Sequence, residues 1–540
     1  MIVEKMVEPR PAAQYFMKGA LLSAVTVVAF ATTGNASEFS EIEARAKQLR
    51  EQNRVLTERL ADLEKRQRKL EAKTARQAEA ATRPAHPAGS MAADYGAYKT
   101  PVKKASVSDG LTWNGITLYG QIDAGVTYQD HGVPLNNSSA SGLNYVVSKN
   151  SNRSYFGISG NALSSSFVGL KGDVALTDGL SAVFNLQTGF NPWSGRLQDG
   201  IGSVAQNNGL PVSAQNAFSD SSKAGQAFNL AAYGGLSSPT YGTLTYGRQN
   251  ALTSDGVANY DPLTSSGAFS LIGYQGATGG GGVTENRILD NSFKYAVEIG
   301  PFRAKVETQL SAGGNSAPRN VIQGQVGGDY AGLSLDAIFS HVQDAVTAAP
   351  LTAAQVLSVN GLGISPGSGF ISATVADTTS AMLLAKYVIG PVKLFGGYEH
   401  IQFANPGTPL VPGNFLEGGY AIGVVNNTAF ATDKTLQVFW GGIRYAVRPD
   451  VDLAAAYYHE VQNSFQGGTP ATLNAGHCAD ASLAQCSGQL NAVSLLATYR
   501  FAKQFDAYAG IMWSHVSNGL ASGFLQRSSI DPTVGLRFQF

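Results

Sequence analysis

The chain reads as an all-β protein, a sixteen-stranded antiparallel barrel that crosses a membrane with strands and is preceded by a signal peptide and a helical coiled coil. Three observations predict the barrel. Strand-like runs pair across very short turns while long polar loops separate the pairs; several runs set ionisable residues against apolar ones at period two; and the last run stops on an aromatic residue, Phe540.

Composition narrows the class. Of 540 residues, 62 are glycine, only 14% are charged, and the formal net charge is zero. With no excess of Lys and Arg to neutralise phosphates, a nucleic-acid partner is argued against. High glycine with 22 Tyr, 25 Phe and 2 Cys fits a turn-rich β protein better than a helical enzyme.

Lys18 precedes an apolar run from Ala20 to Phe30, and small residues follow through Gly34, Asn35 and Ala36. This pattern predicts a secretory signal peptide over residues 1–36, cleaved after Ala36, with Met17 as an alternative start. The apolar run falls short of the roughly 20 residues a spanning helix needs. No other segment is apolar enough for one, so a membrane location means a barrel.

From 37 to 83 the composition turns to charged residues with Ala and Leu. Ile42, Leu49, Leu56, Leu63 and Leu70 fall seven apart, and Ala46, Asn53, Leu60, Gln67 and Thr74 occupy the other core position of the same heptad. That register predicts a coiled coil, though it does not choose between dimer and trimer. Residues 84–112, with Pro84, Pro87, Gly89 and Pro101, read as a linker, and the barrel domain spans 113–540.

Within the barrel domain the short turns fall at Thr177–Gly179, Ser238–Thr240, Gly300–Pro301, Ala331–Gly332, Gly390–Pro391, Arg448–Asp450 and Ala502–Gln504. Gly, Pro and Asp are the residues that tight turns demand. Between them run loops at roughly 129–163, 191–227, 251–288, 313–318, 346–377, 405–432, 464–488 and 519–530. A soluble sandwich has no reason to collect its long loops at one end. An outer-membrane barrel does, with short turns toward the periplasm and long loops outward. An even strand count then puts both barrel ends, and the coiled coil, on the periplasmic side.

Alternation supports the same reading. Phe302, Ala304, Val306 and Leu310 share one face, and Arg303, Lys305, Glu307 and Gln309 share the other, a set no soluble core would bury. Such residues suit a wet lumen. Phe293, Tyr295, Val297 and Ile299 stand likewise against Lys294 and Glu298, and Val493, Leu495, Ala497 and Tyr499 against Ser494, Thr498 and Arg500. Tyr119, Tyr128, Tyr387, Tyr445, Phe501 and Trp513 lie near strand ends, where aromatic residues form interface girdles or pack under loops. In the final run Val534, Leu536, Phe538 and Phe540 face lipid, and Thr533, Arg537 and Gln539 face water.

Cys478 and Cys486 lie close together in a small-residue polar stretch, and in an exported chain they are expected to form one disulfide. His477 is adjacent, but the ligands are too few and the spacing matches no standard zinc pattern, so no metal and no cofactor is expected. Ser, His and Asp are scattered without a nucleophile elbow or an oriented pair, and no enzyme activity is expected.

The stretch Ser166, Phe167, Val168, Gly169, Leu170, Lys171 and Gly172, continuing through Asp178, Gly179, Leu180, Phe184, Gln187, Thr188, Gly189 and Phe190, resembles the general porins of Gram-negative bacteria. So do Phe228 to Tyr233, Tyr241 to Leu244, and Gly247, Arg248 and Gln249. The resemblance runs from about residue 113 to Phe540 and implies a homotrimeric, water-filled, sixteen-stranded channel for passive diffusion of small hydrophilic solutes. It implies that Phe540 is the signal read by the barrel assembly machinery. It further implies that the third loop, residues 251–288, folds inward and narrows the pore. There Asp255, Asp261 and Glu285 either face basic wall residues, for which Lys171, Arg248, Arg303 and Lys305 are the candidates, or cap turns, as Asp261 before Pro262 suggests. At two positions where porins often place an inward arginine, this chain has Phe167 and Leu230, which argues against strong anion selectivity. The coiled coil departs from the plain porin pattern and resembles the periplasmic extensions some porins carry. It either spaces and associates the chains or tethers the outer membrane to peptidoglycan.

Overall fold

A computed structural model describes residues 111–130, 154–193, 195, 197, 227–274, 288–310, 320–349, 370–409, 411, 416–417, 420–430, 432–465, 487–518 and 527–540. The signal peptide, the coiled coil, Glu285 and both cysteines lie outside the described residues.

The first strands are β1 (Leu111–Trp113), β2 (Ile116–Gln129), β3 (Tyr155–Gly160), β4 (Phe167–Thr177), β5 (Leu180–Gly189), β6 (Ala231–Ser238) and β7 (Gly242–Asn250). Two helices follow, α1 (Leu252–Tyr260) and α2 (Leu271–Tyr274). The chain continues with β8 (Ile288–Ile299), β9 (Phe302–Gln309), β10 (Val321–Tyr330), β11 (Leu333–Ala349), β12 (Phe370–Ile389) and β13 (Val392–Ala404). It ends with β14 (Leu416–Glu417), β15 (Tyr420–Asn426), β16 (Lys434–Arg448), β17 (Val451–Gln462), β18 (Gly488–Ala502), β19 (Phe505–Asn518) and β20 (Ser528–Gln539).

Neighbouring staves are antiparallel, and β20 pairs back onto β2, closing a barrel of sixteen staves. The last residue extends that seam. The Gly120 amide donates to the Phe540 carbonyl and the Phe540 amide to the Gly120 carbonyl, both at 3.0 Å. All seven short turns join consecutive staves at one end. In the Gly-Pro turns Gly300 (φ 60°) and Gly390 (φ 55°) take the left-handed conformation, which glycine adopts without steric cost.

Three details depart from the sequence reading. Leu111 and Thr112, assigned to the linker, belong to β1, which pairs with the start of β2. The second stave is broken: β3 and β4 both pair with β2, and residues 161–166 between them leave the ladder. Asp123 holds that break, its carboxylate accepting from the Leu163 amide at 2.8 Å and the Ser164 amide at 2.6 Å. The fifth loop is also shorter than expected, because β11 and β12 run on to residues 349 and 370. At 20 residues β12 far exceeds the roughly 9–11 that cross a bilayer. Its outer part pairs in parallel with β15, a strand within the sixth loop.

Face assignment follows the alternation. Val168 (43% exposed) and Leu170 (42%) on β4, and Phe302 (68%) and Val306 (52%) on β9, point away from the lumen. The predicted lipid face of the last strand behaves alike, with Val534 and Leu536 exposed while Thr533 and Arg537 are buried. Tyr128, Tyr387, Tyr445, Phe501 and Trp513 are on the exposed outer face. Tyr119 is not. Its parity is that of the buried Gln121 and Asp123, so it faces inward.

The inner face carries an unexpected apolar core. Leu252, Val257, Leu263, Phe269, Leu271 and Ile272, all from residues 251–274, cluster with Ile338, Met382, Leu384, Ile401, Val438, Trp440, Leu490 and Met512 from the wall. Fully burying each such side chain contributes about 1.5–3 kcal/mol.

Candidate functional site

Residues 251–274 leave β7 and pack along the inward faces of many staves, and most of the ionisable residues singled out in the sequence meet here. The helix α1 begins at Ala251, whose side chain offers no cap. A wall residue substitutes: Gln323 on β10 accepts the Leu252 amide at 2.6 Å through its side-chain oxygen, and its amide nitrogen donates to Ser340 at 3.0 Å. This satisfies one of the amides that a helix start leaves without a partner.

Asp255, one turn in, meets Lys294 of β8 at 3.1 Å, and the same ammonium reaches Glu307 of β9 at 3.3 Å. The side chains of Lys294, Asp255 and Glu307 are 2%, 2% and 0% exposed, so the ions are removed from bulk water together. Such a triad gains little over an apolar core, but losing one member leaves an uncompensated buried charge. Lys305, 9% exposed, lies beside Asp255 and Asp336 and makes no direct ion pair among the described residues.

The far end of α1 is locked by Tyr260. Its hydroxyl donates to Asp336 at 2.6 Å and accepts from Arg303 at 2.9 Å. Arg303 grips Asp336 with two nitrogens, at 2.9 and 3.0 Å, and reaches Asp329 at 2.7 Å. A bidentate guanidinium–carboxylate pair fixes direction as well as distance. Burial, and then the Asp336 carboxylate, push the Tyr260 phenol far above its ordinary range, so it remains a donor. Trp440 of β16 donates its indole N–H to the Tyr260 carbonyl at 3.1 Å.

Asp261 does cap a turn: its carboxylate accepts from the Ser265 amide at 2.7 Å and the Leu263 amide at 3.3 Å. It also accepts from the Tyr458 hydroxyl of β17 at 2.7 Å, and it is completely buried. Burial pushes this carboxyl above the usual range, against the lowering effect of its donors. Beyond it the chain presses on glycines of the wall. A Cβ on Gly442 would stand 2.5 Å from Pro262, and one on Gly510 would stand 2.6 Å from Phe269, whose ring meets Tyr508 edge-on at 6.1 Å.

The sequence-predicted site residues therefore divide. Asp255 and Asp261 both turn into the wall, and Asn259 is the exposed residue of α1. Arg303 and Lys305 lie beneath α1. Arg248 does not join them, since its guanidinium binds Asp290 at 2.6 Å and the Asn229 carbonyl at 2.9 and 3.1 Å. Lys171 remains exposed, on the inward parity of β4. Phe167 and Leu230 are buried with Ile288 in one apolar cluster against Tyr119. Sequence reasoning missed Asp336, Tyr260, Trp440 and Tyr458, because only the fold brings them to the loop. The available signal was Leu436, Val438 and Trp440 on the inward parity of β16, apolar where a wet wall should be polar.

The sequence matches the model of a family described as Gram-negative porin over residues 78–519. A 158-residue stretch is 31% identical to an outer membrane porin protein of Bordetella pertussis, covering 29% of this chain and 34% of that one. The matched part thus spans about a third of that relative's length. Among solved structures the chain is similar to an anion-selective porin from Comamonas acidovorans, with 18% identity and a TM-score of 0.49, covering 79% of this chain and 99% of that one. It is also similar to the trimer form of OmpT from Vibrio cholerae, with 15% identity and a TM-score of 0.45, covering 79% and 99%.

Proposed function

From the premise that this chain belongs to the Gram-negative porins and its barrel to the outer membrane, we propose that it conducts small hydrophilic solutes and ions by passive diffusion. The pore is water-filled and narrowed by the third loop, whose residues 251–274 lie inside the barrel.

One observation carries this reading: the partners of residues 251–274 are inward residues of β9, β11, β16, β17 and β19, namely Arg303, Asp336, Trp440, Tyr458 and Tyr508. Lys171 on β4 stays exposed and Asn185 on β5 half-exposed, which leaves that side of the wall to solutes. The eyelet then differs from the acid-against-base arrangement expected from the resemblance, since Asp255 and Asp261 are spent on anchoring the loop. Lys171 becomes one of the charges that solutes meet, with Asp173 exposed on the same face of β4.

The assembly is a homotrimer in this reading. Reconstituted protein should give conductance steps in threes in planar bilayers. A folded, purified protein without conductance would end the proposal. The N-terminal segment supports a second reading, a tether to peptidoglycan. Deleting residues 37–83 should then weaken the envelope and leave conductance intact, and an unaffected envelope removes tethering.

A further inference from the structure

Tyr119, Gly169 and Gln187 are direct cross-strand neighbours on β2, β4 and β5, so their inward side chains form one row. The middle member has no side chain. A Cβ on Gly169 would stand 2.9 Å from the Tyr119 ring and 3.0 Å from Gln187, so only glycine lets the ring lie across β4. The tyrosine hydroxyl reaches β5, where it donates to Asn185 at 2.6 Å and accepts from Gln187 at 2.6 Å. Phe167 holds the ring on one side, edge-on at 5.4 Å and 73°. On the other, the Lys171 ammonium sits 4.4 Å from the ring centroid.

The result is an aromatic plate pinned at both ends and half-exposed on the inner wall, with the exposed Lys171 ammonium held over the ring. Among the described residues this ammonium has the Tyr119 ring and no ion pair; the exposed Asp173 shares its face of β4 two residues on, without pairing with it. Asn185 and Gln187 are engaged by the tyrosine hydroxyl and serve to orient the plate. A small carboxylate passing here gains only an exposed ion pair, which is worth little in water. A planar aromatic carboxylate gains the same pair and covers the ring as well. An aromatic cation meets the same ring but is repelled by Lys171.

We propose that Tyr119 and Lys171 form a solute-binding subsite for aromatic monocarboxylates, the carboxylate drawing the Lys171 ammonium off the ring to pair with it and the solute ring stacking on Tyr119 in its place. This deepens the channel reading, and rests on it for its consequence in transport.

The test uses the full chain in planar bilayers, with benzoate, acetate and benzylammonium added to a potassium chloride current. Benzoate should reduce the current at concentrations about three- to tenfold below those needed for acetate or benzylammonium, the range expected of one stacked aromatic pair. Tyr119→Leu should erase the difference between benzoate and acetate, Tyr119→Phe should retain most of it, and Lys171→Gln should weaken benzoate. Equal half-blocking concentrations for benzoate and acetate in the unaltered protein, or a difference that survives Tyr119→Leu, would overturn the subsite. A fluorescence titration of detergent-solubilised protein with benzoate separates the two readings. Binding abolished by Tyr119→Leu in a protein that does not conduct would sink the channel and keep the site.

Discussion

Lys294 on β8 and Asp255 on α1 form an ion pair at 3.1 Å in which each side chain is only 2% exposed. The pair ties the first turn of the loop helix to the wall, and Glu307 shares the same ammonium. Lys294→Met leaves two buried carboxylates without their cation and should cost about 3–5 kcal/mol. Heat or guanidinium unfolding of the purified barrel measures it. Combining Lys294→Met with Asp255→Asn and Glu307→Gln should recover most of the loss, because the cost lies in the uncompensated charge. A single mutant as stable as the parent would show that the triad does not hold the loop.

Neutralising two of the candidate pore charges, Asp261 and Lys171, should have unequal effects. Asp261 is completely buried and receives the Ser265 and Leu263 amides and the Tyr458 and Ser270 hydroxyls, so Asp261→Asn should hardly move the reversal potential in a salt gradient, while costing about 1–3 kcal/mol of stability. Lys171 is exposed on the inner wall, and Lys171→Gln should shift the reversal potential toward cation preference. The opposite ranking would mean that Asp261, not Lys171, faces the solution.

Gly442 on β16 makes room for Pro262, and a methyl group there would also stand 2.3 Å from the Ala455 carbonyl. Backbone cannot yield as a flexible side chain does. Gly442→Ala should therefore displace the loop at Pro262, with a penalty of about 1–3 kcal/mol and noisier single-channel currents. Quiet currents at parental conductance would argue against this docking.

Deleting Phe540 removes both hydrogen bonds of the barrel seam to Gly120 and the 5.6 Å stack on Phe538. The amount of folded protein in the outer membrane, followed by heat-modifiable gel mobility, should fall sharply. The channels that do assemble should conduct as before, since Phe540 lies away from the lumen wall. Normal accumulation of the truncated chain would remove its role as an assembly signal.

Much of this barrel was legible because lipid and water impose opposite demands on alternate residues of a strand. Phe302 and Arg303 announce their faces without reference to any neighbour, and Gly300 with Pro301 announces the turn before them. Tyr119 was misread for the converse reason: a tyrosine near a strand end suits either an interface girdle or an inner wall. Its parity with Gln121 and Asp123 was the local signal for the inner wall, while the empty place over Gly169, fifty residues away, which lets its ring lie across β4, belongs to the fold alone. The break at residues 161–166 escaped for a similar reason, since it depends on Asp123 reaching the Leu163 and Ser164 amides.

The chain alone determined the strand count, the turn side and the two faces, because period-two alternation and turn chemistry are local consequences of backbone geometry. It also supplied the acids and bases. Which of them meet solvent was decided only by the tertiary structure, for burial and ion pairing depend on strands brought together over long sequence separations. Asp255 and Asp261, read as either eyelet charges or turn caps, became anchors because Lys294 and Tyr458 stand where they dock. Lys171 kept its charge exposed because its position beside Tyr119 gives it an aromatic ring and, among the described residues, no ion pair.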